Sequence, residues 1–363
     1  MTAQAPAASF AAAQSVLARY SSLALSAPFG KAGGLNDILG SMTVFDRYGR
    51  DYRMKAHSSS RTRRSGLRAG NMIGSIDPLW REGTAMDARF GFASDTIGPW
   101  QDIRSNRPAT VAFSPMAGHS VVLSANVAVG QGTGLAGSSL RAIVGTPVGI
   151  SSVWASNGWA ASFSSGTTRD GRSSLQSASI DTPLGIGVEL SEFNEQGQVL
   201  GLRGSGDFNL AGGRTTLATL TAKREMAGVL ISARATVAET KMAGGSDLLR
   251  FTGPVIGSAF SIQGARRLLG GMAAVGLSSP LKVERAHANM LVPLTYDLMS
   301  GVLQTEVRSV DLTPAAREID LEFGWYAMLS SASSLRLGIA HAFDAGHIAG
   351  ARDTAAFLTF TLR

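Results

Sequence analysis

The stretch Glu318-Ile319-Asp320-Leu321-Glu322-Phe323-Gly324-Trp325 sets acids and a glycine against Ile, Leu, Phe and Trp at every second position. Successive side chains of a strand point to opposite faces, so the run makes one apolar face and one acidic face. A helix would scatter the same apolar set around its axis, so the period of two reads as a strand. Outward from this run the pattern recurs. Met86, Ala88, Phe90 and Phe92 alternate with Asp87, Arg89 and Gly91. Val121, Leu123, Ala125, Val127 and Val129 follow the same rule, as do Ile186, Val188 and Leu190. Val229, Ile231, Ala233, Ala235 and Val237 alternate with a set that includes Ser232, Arg234 and Thr236. Leu303, Thr305 and Val307 come next, then Leu335, Leu337 and Ile339, and last Ala356, Leu358, Phe360 and Leu362. About a dozen such segments fit between residues 80 and 363, broken at Gly/Ser/Asn/Asp clusters. These breaks include 130–134, 164–172, 195–197, 243–246 and 344–352. No long amphipathic helix intervenes, which argues against βαβ units and a parallel sheet and for an all-β chain of antiparallel strands.

Composition narrows the class. The chain has 363 residues, 43 of them Gly, with 44% hydrophobic and only 16% charged residues and no cysteine. Dense Gly without a triplet period excludes collagen, and the apolar content excludes a largely disordered chain. Absence of cysteine removes disulfides, Cys–zinc and Fe–S sites, and thiol nucleophiles. No window of about 18 apolar residues exists, so no transmembrane helix is expected. Met1-Thr2-Ala3-Gln4-Ala5-Pro6 has no basic n-region and does not read as a signal peptide. If the protein is exported, the chain is expected to be a mature piece or an excised one with an initiating Met.

Charge is uneven. Of a formal net +7, a local surplus of 8 − 2 = +6 lies between Asp46 and Arg68, in Arg47, Arg50, Arg53, Lys55, Arg61, Arg63, Arg64 and Arg68 against Asp46 and Asp51. Residues 1–75 read as a linker with a weak Ala-rich helix at 8–19, and residues 76–363 as the β domain. The basic tract could bind nucleic acid or anionic lipid; without a nucleic-acid fold signature, a charged linker against an acidic lumen or lipid surface is the plainer account.

Alternation fits a soluble sandwich and a transmembrane barrel alike. A barrel strand needs about 9–11 residues with its apolar set outward, and Ala227–Ala238 and Ala316–Leu329 are long enough. A water-facing set would be rich in Lys and Glu, whereas these sets carry Ser, Thr, Gly and Arg. Trp80, Trp100, Trp154, Trp159, Trp325 and Tyr326 could form interfacial girdles, or else sit in a sandwich core or edge. The pattern favours the barrel.

Several segments resemble the C-terminal region of subtilisin-like autotransporter proteases of alphaproteobacteria. They are Leu23–Gly30, Val44–Tyr52, Gly276–Glu284 and Leu312–Gly324. The resemblance runs through most of the chain in order, on motifs that are structural and carry no chemistry. It implies an antiparallel transmembrane β-barrel of about 12 strands in the Gram-negative outer membrane. That barrel would anchor or export an N-terminal passenger, with residues 1–75 threading the lumen toward acids such as Glu318, Asp320 and Glu322. Implied partners are outer-membrane lipid, the barrel assembly machinery and the passenger itself, with no nucleic acid. Barrels of this kind end on an aromatic residue, whereas this chain ends Phe360-Thr361-Leu362-Arg363, and Phe360 would stand in for that signal. The alternative is a soluble secreted all-β accessory or adhesion domain following a protease.

No chemistry is expected of the chain itself. The Asp, His and Ser motifs of the related proteases are missing, so no triad has positions to occupy. His57, His119, His287, His341 and His347 lie in no recognised ligand spacing. His119 adjoins Ser120, but strand neighbours face opposite ways. Gly130–Gly134 lacks the context of a phosphate loop. Asp320 and Glu322 share a face, where like charges could raise a pKa; lumen-lining charges paired to Arg are the plainer reading. There is no Asn-Asn pair of the kind some autotransporters cleave. No catalytic, cofactor or metal residue is therefore assigned, and no cofactor is expected.

Overall fold

The computed structural model describes residues 22–31, Leu35, Ile38, 43–45, 51–53, the strands between 80 and 125, and 148–362 apart from 169–170, 206–207, 247, 298, 301 and 331–332. The Ala-rich stretch 8–19, His57, most of the basic tract and the Gly130–Gly134 loop lie outside the described residues.

Three short strands come first: β1 (Ser22–Ala24), β2 (Thr43–Phe45) and β3 (Asp51–Arg53). Eight consecutive strands follow, β4 (Trp80–Ala85), β5 (Ala88–Ala93), β6 (Ala109–Met116), β7 (His119–Ala125), β8 (Val148–Ser156), β9 (Trp159–Thr167), β10 (Ser173–Asp181) and β11 (Ile186–Gln196). A small hairpin, β12 (Gln198–Val199) and β13 (Leu202–Ser205), leads to β14 (Gly212–Met226) and β15 (Val229–Met242). After β16 (Leu249–Phe251) come β17 (Val255–Leu268), β18 (Gly271–Arg285), β19 (His287–Asp297) and β20 (Val302–Asp311). The chain closes with β21 (Ile319–Ser330), β22 (Ser333–Phe343) and β23 (Arg352–Leu362).

The fold is all-β and antiparallel. Among the described residues, fifteen strands form one sheet in the order β23-β22-β21-β18-β17-β15-β14-β11-β10-β9-β8-β7-β6-β5-β4. Order in the sheet follows order in the chain, skipping only β12, β13, β16, β19 and β20, which belong to side sheets. The sheet exceeds the expected dozen strands for two reasons. The run Met86–Phe92, read as one strand, matches β5 alone, and Trp80–Ala85, which pairs with it, is a further strand. Ser-rich β8, β9 and β10 have too little apolar amplitude to register as strands in the sequence. Leu303–Val307, read as part of the main sheet, instead lies in β20 of the side sheet β16-β19-β20.

Connections differ systematically between the two ends. From β8 onward, one end carries tight turns: 157–158, 182–185, 227–228 and 269–270. Asn157-Gly158, Ala227-Gly228 and Leu269-Gly270 have positive φ at both positions, the primed geometry that matches strand twist. The other end carries the longer excursions 197–211, 243–254, 286–318 and 344–351, which hold β12, β13, β16, β19 and β20.

Candidate functional site

The two faces of the main sheet are chemically opposite. On β11, Ile186, Val188 and Leu190 are about half exposed while Glu189, Ser191 and Glu195 are buried. Register carries that outward row across the sheet. Val188 pairs with Leu220, and Leu220 with Ala235. Ala235 pairs with Phe260, Ile262 with Leu277, Leu277 with Leu321, and Phe323 with Ile339. Leu220, Val237, Ile262, Val275, Leu321, Ile339, Leu358 and Phe360 are all exposed. Scattered exposed apolar side chains are ordinary, but a contiguous apolar belt is not a surface for water.

The belt has chemical edges. Toward the long connections the outward positions become charged: Arg214 pairs with Glu192, and Lys241 with Glu239 at 3.5 Å. Toward the tight turns the outward row ends in Arg224 with Met226 on β14 and Arg266 with Leu268 on β17. Three tryptophans stand at this end. Trp154 and Trp159 flank the 157–158 turn, half exposed, and the Trp325 indole N–H donates to the Leu268 carbonyl at 3.0 Å. Tyr326 is buried on the opposite face. Between the charged Arg214 and Arg224 the outward row of β14 runs through Thr216, Ala218, Leu220 and Ala222, a span of about nine residues, close to what a tilted strand needs to cross hydrocarbon.

The opposite face is polar, and it is covered. Ser164, Ser177, Glu189, Thr219, Thr236, Asp320 and Glu322 are each less than a tenth exposed. Their hydroxyls pair across strands: Ser162 with Ser179 and Ser164 with Ser177 at 2.7 Å, and Thr219 with Thr236 at 2.9 Å. The Ser191 hydroxyl donates to the Glu189 carboxylate at 3.0 Å, and the Arg234 guanidinium lies 3.9 Å from the same carboxylate. Buried hydroxyls and charges need such partners, and here they find them on neighbouring strands. One sheet layer cannot bury its own face while flat, so burial of this polar set fits a sheet curled around it.

At the long-connection end the inner face turns apolar and joins a conventional core. Leu175, Phe193, Leu217, Ala238, Val255, Leu281 and Val283 pack there with Leu202, Phe208, Met290 and Val310 from the excursions. Leu23, Leu25, Phe29 and Leu35 belong to the same cluster, none more than 3% exposed. The segment read as linker is therefore built in at these residues. β1 pairs antiparallel with β13, Leu23 opposite Gly204. The Ser26 hydroxyl donates to the Leu200 carbonyl at 2.6 Å. A 3-10 turn at Ala27–Phe29 packs on β18 and on a second 3-10 turn, Ala345–His347, and β2 lies against β19. Sequence reasoning missed the small strands of this cap because β1, β2, β12, β13 and β16 are two to four residues long, too short for periodicity.

Polar groups pin the cap. The Glu195 carboxylate accepts the backbone N–H groups of Leu200 and Gly201. Glu318 accepts the Gly346 N–H at 2.7 Å and donates its own N–H to His347 Nδ1 at 2.9 Å. His347 Nε2 meets the Leu281 carbonyl at 3.0 Å. Burial holds the His347 ring below its ordinary pKa despite the nearby Glu318 carboxylate.

The other residues singled out from the sequence are not brought together. His287 lies 3.9 Å from Asp311 in the side sheet, and His341 faces outward with its ring edge on Phe343. No group of three or more His, Cys, Asp or Glu is placed to hold a metal among the described residues.

No protein-family model and no curated protein matches the chain. Among solved structures, an anion-selective porin from Comamonas acidovorans aligns over 76% of this chain and 84% of its own, at 13% identity and a TM-score of 0.43. OmpT, an outer membrane protein of Vibrio cholerae, aligns over 77% and 95%, at 9% identity and a TM-score of 0.42. A porin refined at 1.8 Å aligns over 77% and 89%, at 10% identity and a TM-score of 0.40.

Proposed function

We propose that the chain closes into an outer-membrane β-barrel that anchors or exports an N-terminal passenger and performs no catalysis itself. The observation that carries this reading is the reversal of faces: an outward apolar belt bounded by charge at one edge and by Arg and Trp at the other, over a buried polar inner face. Water-soluble sheets bury their apolar side, whereas membrane barrels turn it to lipid. The alternation of tight turns with long excursions fits a barrel with short periplasmic turns and longer external loops. The passenger role has its own support. It rests on the resemblance to subtilisin-like autotransporters and on the basic surplus of residues 46–68, which complements an inner wall carrying Asp181, Glu189, Asp320 and Glu322 against Arg234.

Fractionation tests it. The proposal expects the chain in the outer-membrane fraction, with heat-modifiable migration on detergent gels and β-rich circular dichroism. A chain that stays soluble and monomeric without detergent overturns it and supports the secreted accessory domain.

A further inference from the structure

We infer that residues 22–53 are a non-covalent anchor: they hold whatever precedes them at the long-connection end of the barrel even after the chain is cut between this segment and β4. The inference rests on the passenger reading above, since it says where a passenger stays.

Four features carry it. The described parts of the segment touch the cap at separate places, β1 on β13, the 3-10 turn Ala27–Phe29 on β18 and on Ala345–His347, and β2 on β19. Its apolar side chains Leu23, Leu25, Phe29 and Leu35 are buried as deeply as the cap's own Leu202, Met290 and Val310. Its backbone is stitched in by the β1–β13 ladder and by the Ser26–Leu200 hydrogen bond. Gly30 has φ +52 and lies so close to loop 344–351 that a Cβ there would come within 2.8 Å of the His347 carbonyl. A spacer that only threads a pore needs none of these contacts. A segment shaped to one site on the cap is a docked ligand that happens to be covalently attached. Attachment through residues 54–79 then adds effective concentration but is not the only thing holding it.

The site accepts one occupant, this chain's own segment, by strand addition plus four apolar anchors. Cutting the covalent link would convert a tethered passenger into a surface-retained one. Arg61, Arg63, Arg64 and Arg68, the residue type after which trypsin cleaves, all fall in the part of the sequence between the docked segment and β4.

The test is a full-length chain with a site-specific protease sequence placed between residues 56 and 66. It is cut in detergent after folding or, if the folded site resists, cut in denaturant and refolded. The N-terminal piece is expected to co-elute with the remainder on size exclusion and to separate only on denaturation. Phe29→Asp should release the piece at least tenfold faster, and the milder Leu25→Ala, which keeps the core uncharged, should release it measurably faster. Release of the unsubstituted piece as fast as that of Phe29→Asp overturns the inference. If fractionation shows a soluble chain, the same assay runs in plain buffer, so loss of the barrel reading and loss of the anchor are read separately.

Discussion

The backbone N–H of Glu318 donates to His347 Nδ1 at 2.9 Å, across 29 residues of sequence. That bond fixes the ring chemistry. Nδ1 is an acceptor and so carries no proton, which leaves Nε2–H to donate to Leu281 at 3.0 Å. The neutral ring satisfies both nitrogens, while a protonated ring would set an N–H against an N–H. Arg317 and Lys282 also face the ring and oppose a second positive charge, with Glu318 favouring it. A histidine whose folded pKa is lowered binds its proton more readily when unfolded, so stability is lost as pH falls below the unfolded value near 6.5. The slope should approach about 1.4 kcal/mol per pH unit. Urea midpoints in detergent at pH 8 and pH 5 check this, and His347→Gln should flatten the difference. An unchanged pH profile in that variant would show that the ring is not the titrating group.

Gly30 supplies a second prediction at the same junction. Its φ of +52 costs an L-residue about 1–2 kcal/mol, and a Cβ would press on the His347 and Gly346 carbonyls. Gly30→Ala should destabilise the cap by about 2 kcal/mol or more. Proteolysis of the N-terminal segment should rise with it, while the melting of the main sheet hardly moves. Equal effects on both would mean that cap and sheet unfold as one unit.

How much of this was legible beforehand varied with side-chain amplitude. Ile319–Trp325 and Val229–Val237 announce their strands because bulky apolar residues alternate with polar ones, and β21 and β15 contain them. The outward direction of the apolar set was also readable, since its partners were Ser, Thr and Gly. Ser162, Ser164, Ser177 and Ser179 spoke for strands only after pairing, because hydroxyl ladders leave no hydropathy signal. The cap was invisible for a different reason. Leu23 meets Gly204 and Glu318 meets His347 through contacts between segments far apart in the chain, and no local pattern encodes such a meeting. The inner acids Asp320 and Glu322 were placed on one face from the sequence and are buried there.

Leu269 sits at φ +52 in the turn between β17 and β18, followed by Gly270 at +71, and is 82% exposed. The primed turn wants Asn or Gly at that first position, because a branched L-side chain crowds its own carbonyl there. Leu269→Asn should therefore raise stability by about 1 kcal/mol with no change in fold. Unfolding midpoints in urea would show it. A loss of stability instead would mean that Leu269 makes an apolar contact outside the chain, at the edge where the belt ends.

Leu220 separates the two environments most sharply. It is 55% exposed at mid-belt, with Val188 opposite it on β11 and Ala235 on β15. Its neighbour Leu217 faces the other way and is 3% exposed. If the belt meets lipid, Leu220→Arg places a charge near the hydrocarbon centre and should cost about 2–4 kcal/mol in a bilayer. The cost should shrink for Ala222→Arg and be smallest for Met226→Arg, closer to the edge already marked by Arg224. If the belt met water, Leu220→Arg would shift stability by less than about 0.5 kcal/mol, as surface changes do, and would improve solubility. Refolding into vesicles of a phospholipid with fourteen-carbon chains, with urea titration of the three variants, reads the gradient directly. A depth-dependent penalty is the signature of lipid, because neither a soluble surface nor a packed protein interface grades its cost by distance from the tight turns.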